Sequence, residues 1–268
     1  MESSSKTNTD GQDLDELPFI APSKPLATNA AFGWLQKGYE DFMIAPLQSA
    51  VYGFVITLFV YILAYMAYVY GSLPFILLLG AGVMFLGPVL AFGLYSISRQ
   101  IGMGLEPKLG YCLQEGKRHL GNELVFAIIL LVVFLIWARA ASIIHVFFPT
   151  ESNAEISEYV LFFAIGSGVG SFFLALTFML SAFSLPMFMD KKVDVITAVL
   201  TSISAVLHNK KALLVWAVLI FIALLVSLMT FLVGFVVVLP MLGHATWHAY
   251  KSTIDASAWP EHGVANKD

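Results

Sequence analysis

The sequence predicts an all-α fold: a polytopic membrane helical bundle of six transmembrane helices in three hairpins, each preceded by a cytoplasmic amphipathic helix. Three observations predict it. Of 268 residues, 59% are apolar and 12% charged, whereas a globular chain is about half apolar and a quarter charged. The apolar residues gather into runs of the roughly 20 residues that a helix needs to span hydrocarbon. The cations avoid every second connection between those runs.

Residues 1–26 read as a disordered cytoplasmic tail, because "MESSSKTNTDGQDLDE" is polar, acidic and without aromatics. It supplies much of the formal net charge of −4. The membrane domain is expected over residues 27–252. In its first stretch Phe32, Leu35, Tyr39, Phe42 and Met43 alternate with Gln36, Lys37, Glu40 and Asp41, the spacing of an amphipathic helix. Spans follow at Ser49–Tyr70 and, after a "GSLP" turn, Leu73–Ile97. A second amphipathic stretch opposes Leu109, Cys112, Leu113 and Leu120 to Gln114, Glu115, Lys117 and Arg118, ahead of spans at Leu124–Phe148 and Tyr159–Leu185. The third sets Ile196, Val199, Leu200, Ile203 and Leu207 against Thr197, Thr201 and Ser204. Each amphipathic helix either lies at the cytoplasmic interface or packs on the bundle's inner face. From Ala212 to Ala249 the chain is too long for one span and reads as a hairpin turning between Ser227 and Phe235. Residues 253–268 form a C-terminal cytoplasmic tail.

Topology follows from the 14 Lys and Arg, of which only Arg139 lies in an expected span. Arg99, Lys108, Lys117 and Arg118 fall between the second and third spans, and Lys191, Lys192, Lys210 and Lys211 between the fourth and fifth. The opposite loops hold none. Both termini and both long connections are therefore expected on the cytoplasmic side. No basic stripe on a polar domain exists, so nucleic acid is not an expected partner.

Each unit of one amphipathic helix and two spans suggests an internal repeat, over 27–98, 105–186 and 192–251. "LQKGYEDFMIAPL" and "LQEGKRHLGNEL" share Leu-Gln-x-Gly at Leu35 and Leu113, and "LGNELVF" matches "LHNKKALL" around Asn122 and Asn209. "PVLAFGLYSISR" and "PMLGHATWHAYK" both run from a proline to a terminal cation, at Arg99 and Lys251, with Phe92 and Ser96 where the last copy has His244 and His248.

Those two histidines are the candidate metal ligands, since His-x3-His on a helix presents two nitrogens to one ion. A third ligand would come from His208, Asp255 or His262; "HATWH" lacks the glutamate of a HExxH site. His145, at the far end of the third span, cannot share a haem with His244. Arg139 is the candidate functional intramembrane charge. It sits about 14 Å of helix from the outer boundary, close enough to snorkel toward Glu151, Glu155 and Glu158. No Asp or Glu lies inside the spans as bounded above, which argues against a proton- or cation-coupled pump. Gly166 and Gly170, with Ser167 and Ser171, read as a close-packing helix face, and Gly80, Gly82 and Gly87 likewise. The sole cysteine, Cys112, excludes an internal disulfide. No nucleophile elbow, P-loop or catalytic carboxylate pair is present, so no cofactor and no enzymatic activity are expected.

"FGWLQKGYEDFMIAPLQSAVYG", "GPVLAFGLYSISRQIGMGLEPKLG" and "LPMLGHATWHAYK" together resemble an uncharacterised bacterial family of six-span integral inner-membrane proteins, a domain of unknown function, over about Ala27 to Ser252. Some members carry a cytochrome c oxidase subunit label. The resemblance implies a bacterial inner (cytoplasmic) membrane and little about activity. The oxidase label finds no support in the residues, because catalytic oxidase subunits need several histidines within their spans.

The leading expectation is a non-enzymatic accessory, assembly or scaffold component whose partners are membrane lipids and subunits of a membrane complex. The alternative is a transporter or lipid-handling protein with a cavity between the three hairpins. The third is a haem- or metal-binding respiratory subunit using His244 and His248.

Overall fold

The computed structural model describes residues 18–71, 73–147 and 156–262. Ten helices account for nearly all of them: α1 (Ala30–Ile44), α2 (Pro46–Tyr70), α3 (Leu73–Leu90), α4 (Phe92–Gly102), α5 (Leu109–Phe147), α6 (Ile156–Ser181), α7 (Ser184–Asp190), α8 (Val195–His208), α9 (Lys210–Met229) and α10 (Phe235–Thr253). No strand occurs among the described residues, only the isolated bridges Ser23–Ile254 and Lys191–Glu261.

Among the described residues five stretches are long and apolar enough to cross a membrane: Pro46–Tyr70, Leu78–Gly102, Gly121–Val146, Ile156–Asp190 and Lys210–Met229. The sixth expected span is α10, which is not among them. Its first turns, "FVVVLP", are apolar, but from Gly243 onward it carries His244, Thr246, His248 and Lys251. That half is shielded by protein instead: His244, Trp247 and Tyr250 are all buried.

Helix breaks follow the sequence's own punctuation. Pro88 lies in the last turn of α3, and the chain restarts as α4 at Phe92. Pro186 follows a break between α6 and α7, while Pro240 sits inside α10. The "GSLP" turn closes α2 on Gly71, whose φ of +48° suits a residue without Cβ. The α9–α10 turn occupies residues 230–234, inside the expected interval, and holds Phe231 and Leu232 at positive φ. The second amphipathic segment does not form a separate helix. It continues into the third span as the 39-residue α5, because "LQEGKRHLGNEL" contains no proline like the one that starts α2.

The two remaining amphipathic helices are built in an inverted sense. On α1 the inward stripe is Ala31, Trp34, Gly38 and Asp41, while Phe32, Tyr39 and Met43 are exposed. On α8 the inward stripe is Thr197, Ala198, Thr201, Ser202 and Ala205, while Ile196, Leu200 and Leu207 are exposed. Apart from Trp34 on α1 and Val195 and Val206 on α8, small and polar side chains meet the protein while several large apolar ones face outward, which suits a helix lying in an interface with lipid on its outer side.

The core sits at one end of the bundle. Every residue of α7 is buried, and Phe183, Leu185, Met187, Phe188 and Met189 are at most 1% exposed. Phe126 of α5, Trp216 of α9 and Tyr250 of α10 close around them. Toward the other end the spans expose long apolar flanks, including Phe54, Leu58, Ile128, Leu135, Phe163 and Phe221, as rods in hydrocarbon would.

Candidate functional site

Polar side chains are scarce in this chain, and the structure gathers them at the packed end. Three tasks account for them: patching helix breaks, tying connections together, and joining α10 to its neighbours.

A break in a membrane helix strands backbone groups that must find partners. At the α3–α4 break Leu94 N–H turns to Ala91 O, freeing Leu90 O. The Tyr52 hydroxyl donates to Leu90 O at 2.8 Å and accepts from Gly93 N–H at 3.2 Å. At the α6–α7 break Ser202 of α8 does the same work, donating to Met179 O at 2.7 Å and accepting from Phe183 N–H at 3.1 Å. At Pro240 a glycine makes room instead: a Cβ on Gly53 would collide with Val236 O, the carbonyl four residues before the proline, and with the proline ring.

The connections are tied by side-chain amides in a cyclic pattern. Gln48 donates to Pro107 O at 2.9 Å, Asn122 to Val193 O at 2.9 Å, and Asn209 to Lys24 O at 3.1 Å. Each amide lies near the start of the first span of one expected repeat and holds the backbone just ahead of the next repeat's first helix, the third returning to the first. All the long connections therefore lie at the same end of the bundle. The N-terminal segment is docked well before residue 26: Ala21 N–H donates to Thr201 Oγ1, Leu26 N–H to Asn209 Oδ1 and Lys24 N–H to Thr253 O. The C-terminal segment is docked as far as His262, with Lys192 N–H donating to Pro260 O and an Arg99 guanidinium N–H donating to His262 O at 2.6 Å. Only residues 1–17 and 263–268 of the two expected tails lie outside the described residues.

The two candidate metal ligands sit in this network. His244 is fully buried, with Nε2 2.9 Å from Ser49 Oγ on α2 and Nδ1 2.8 Å from Ser98 Oγ on α4. Both ring nitrogens are engaged, so neither offers a lone pair to an ion without breaking the seam. His248, one turn on, places Nε2 2.8 Å from Asp41 Oδ2 on α1. The structure does not bring His208, Asp255 or His262 to them as a third ligand, and no group of three metal-ligating side chains exists among the described residues. Arg139 is exposed on α5, and Glu151 and Glu155, two of its expected partners, lie outside the described residues.

A charged cap completes the end of the bundle. Buried Asp190 accepts from Tyr250 Oη at 2.9 Å and from Lys251 Nζ at 3.2 Å, and buried Lys191 donates to Glu261 at 3.1 Å. Burial, then the charge and hydrogen bond of Asp190, push the Tyr250 phenol well above its ordinary value, so it stays a neutral donor. The hydrogen bond and charge of Lys191 hold the Glu261 carboxyl below its ordinary value. A cleft of about 210 Å³ opens here, lined among others by Asp190, Lys191, Tyr250, Lys251, Asp255 and Ser257. Its charges already neutralise one another, so its chemistry is that of a brace.

Sequence reasoning singled out Asn122 and Asn209 as repeat markers but not as clamps, and missed Asp41, Gln48, Ser49, Ser98 and Asp190. The available signal was a polar residue interrupting or ending an apolar run. It also drew the third span too short: the apolar stretch starts at Gly121, which puts Glu123 inside it with Oε1 buried and unbonded. The helix-packing glycines were the wrong ones. Among the described residues, a Cβ on Gly80, Gly87, Gly166, Gly168 or Gly170 would meet nothing within 4 Å and one on Gly82 only the edge of Phe134, whereas the close contacts between helices are at Gly38, Gly53, Gly93 and Gly243.

Those seams, breaks and clamps belong to a helical membrane protein. Residues 75–190 match the family described as predicted integral membrane protein (DUF2189). The matched stretch runs from the start of α3 to the end of α7 and takes in both patched helix breaks, the Asn122 clamp and Asp190. It agrees with the resemblance to an uncharacterised membrane family. No curated protein and no solved structure matches the chain.

Proposed function

We propose that the protein is a non-enzymatic integral membrane component that holds lipids or the subunits of a membrane complex against a rigid base. The observation that carries this reading is the filled centre of that base. Phe183, Leu185, Met187, Phe188 and Met189 are buried where α7 packs on α4, α5, α8 and α10, so the base between the hairpins is filled by side chains. Most polar groups described nearby are committed to one another or to backbone, which supports a structural part for them. The excess of Lys and Arg at the clamped end supports a cytoplasmic orientation for that end and for both termini. The family resemblance supports a bacterial inner membrane.

Purified protein in liposomes is expected to give ion and solute fluxes equal to those of empty vesicles, while mild-detergent extraction retains a reproducible set of subunits or lipids. Flux above the empty-vesicle rate, or turnover of a substrate by the protein alone, would overturn the proposal. The lipid-handling alternative is favoured by one observation: the ring of spans is not closed on all sides.

A further inference from the structure

Going round the ring, α10 packs on α2, α2 on α3, α3 on α5 and α5 on α6, and α9 packs on α10. In the cyclic order of the repeats, the second span of each unit meets the first span of the next, as α3 meets α5 and α10 meets α2. The third seam of this kind would join α6 to α9. Among the described residues no comparable contact joins them, while α8 packs against both at the base. The opening therefore has a floor and two apolar walls. The Gly166–Gly170 stretch of α6 has open space around it.

The rim of that opening is cationic. Lys192 precedes α8, and Lys210 and Lys211 start α9; all three are exposed, as is His208 between them. Two acids near this rim are engaged: Asp194 accepts from Thr197 N–H at 2.9 Å and so caps α8, and Glu261 pairs with Lys191. Between the cations α8 turns Ile196, Leu200 and Leu207 outward. Positive charge at the headgroup level, apolar side chains immediately beneath, and a slot above them match one kind of molecule in charge and in polarity order.

We propose that the α6–α9 opening seats an anionic phospholipid, with its phosphate at Lys210 and Lys211 and an acyl chain lying along the slot above α8. This goes beyond the scaffold reading, because a scaffold needs no particular lipid at a particular seam. A second copy of the chain fits less well. It would bring a like-charged rim against Lys210 and Lys211, and it would gain no charge pairing there.

The test uses the full-length protein in vesicles containing phosphatidylcholine and photoactivatable analogues of either phosphatidylglycerol or phosphatidylcholine, with the diazirine on the acyl chain. Crosslinked positions are mapped by mass spectrometry. Crosslinks from phosphatidylglycerol are expected to concentrate in residues 163–176 and 210–225, with a preference over phosphatidylcholine of about fivefold, falling to less than about twofold in the Lys210→Gln/Lys211→Gln protein. The comparison between the two lipids needs no variant, so it stands even if the double variant folds poorly. Equal yields from the two lipids, or crosslinks spread evenly over α2, α5, α6 and α9, would overturn the proposal. So would protein–protein crosslinks through Ser167→Cys that displace the lipid.

Discussion

Replacing Gly38 by alanine tests the central packing claim, that α1 is held to α10 by backbone proximity and not by its large apolar residues. A Cβ at position 38 would lie 2.6 Å from Met241 O, 2.7 Å from Ala245 N and 2.9 Å from Ala245 Cβ. Ordinary contact begins at about 3.4 Å, and none of these three atoms can rotate away. The helices must separate as bodies. That separation strains the other ties across the same interface, the Trp34 Nε1–Ser252 Oγ bond of 2.9 Å and the His248–Asp41 pair. Overpacking of this kind costs about 1–3 kcal/mol, and alanine returns up to about 1 kcal/mol of helix propensity, leaving a net loss of about 0–2 kcal/mol and a deficit of about 1–3 kcal/mol against the same change made in open space. Gly168→Ala is the matched control: its Cβ meets open space, so only the propensity gain of up to about 1 kcal/mol remains. Reversible unfolding in mixed micelles, followed by tryptophan fluorescence, reads both. Trp34 and Trp216 stand edge to face at 5.8 Å and report the seating of α1 on α9. A Gly38→Ala protein as stable as Gly168→Ala would refute the reasoning.

His244→Ala leaves the buried Ser49 and Ser98 hydroxyls without their partner, and is expected to cost about 2–4 kcal/mol in the same unfolding assay, with no change in bound metal by elemental analysis. Asn209→Ala removes the bonds to Lys24 O and Leu26 N–H and is expected to speed amide exchange over residues 21–26, leaving Asn122's connection unaffected. Arg139→Leu, at an exposed position, is expected to change stability by less than about 0.5 kcal/mol; a larger loss would mean that the guanidinium has an intramembrane partner. Glu261 has a folded value below its unfolded one. Its tie to Lys191 therefore contributes above the unfolded carboxyl value of about 4.3 and is lost as pH falls through the folded value. Proteolysis near Trp259 is expected to accelerate only on acidification below that range, and Glu261→Gln is expected to abolish the pH dependence.

The parts of this fold legible in the sequence are those set by length and punctuation. Runs of about 20 apolar residues, Pro46, Pro88 and Pro240, Gly71, and the placement of lysines locate the helices, most of their ends and the common side of the connections. The orientation of each helix about its own axis was not legible. In water, the large apolar residues of α1 and α8 would mark the inward face, but in lipid burial of Phe32 or Ile196 against protein gains little over burial against acyl chains. The inward face is then set by what can approach closely or hydrogen-bond, namely Gly38, Asp41, Thr201 and Ser202. The same inversion explains the glycines. Gly166 and Gly170 have the spacing of a packing motif, yet spacing says nothing about whether a neighbour arrives. Gly243 lacks the motif and sits where Leu94 comes closest, and Gly53, four residues after Ser49, sits where Val236 O does.

The distribution of polar residues then explains how so apolar a chain reaches one arrangement. Leucine, valine and phenylalanine make the rods nearly interchangeable, so side-by-side packing alone permits many orders round the ring. A buried hydrogen bond does not permit that freedom, because its loss leaves a donor or acceptor in hydrocarbon at a cost of several kcal/mol. Gln48, Asn122 and Asn209 each accept only the connection that leads into the next unit, and Tyr52 and Ser202 each fit only one broken helix. Order round the ring is thus written in about half a dozen side chains at one end, while the rest of each rod supplies length. The α6–α9 seam is bridged at its base by α8, with Ser202 bonded to Met179 O and Phe183 N–H, and has no comparable direct packing above it among the described residues. That is where the proposed lipid has room to enter.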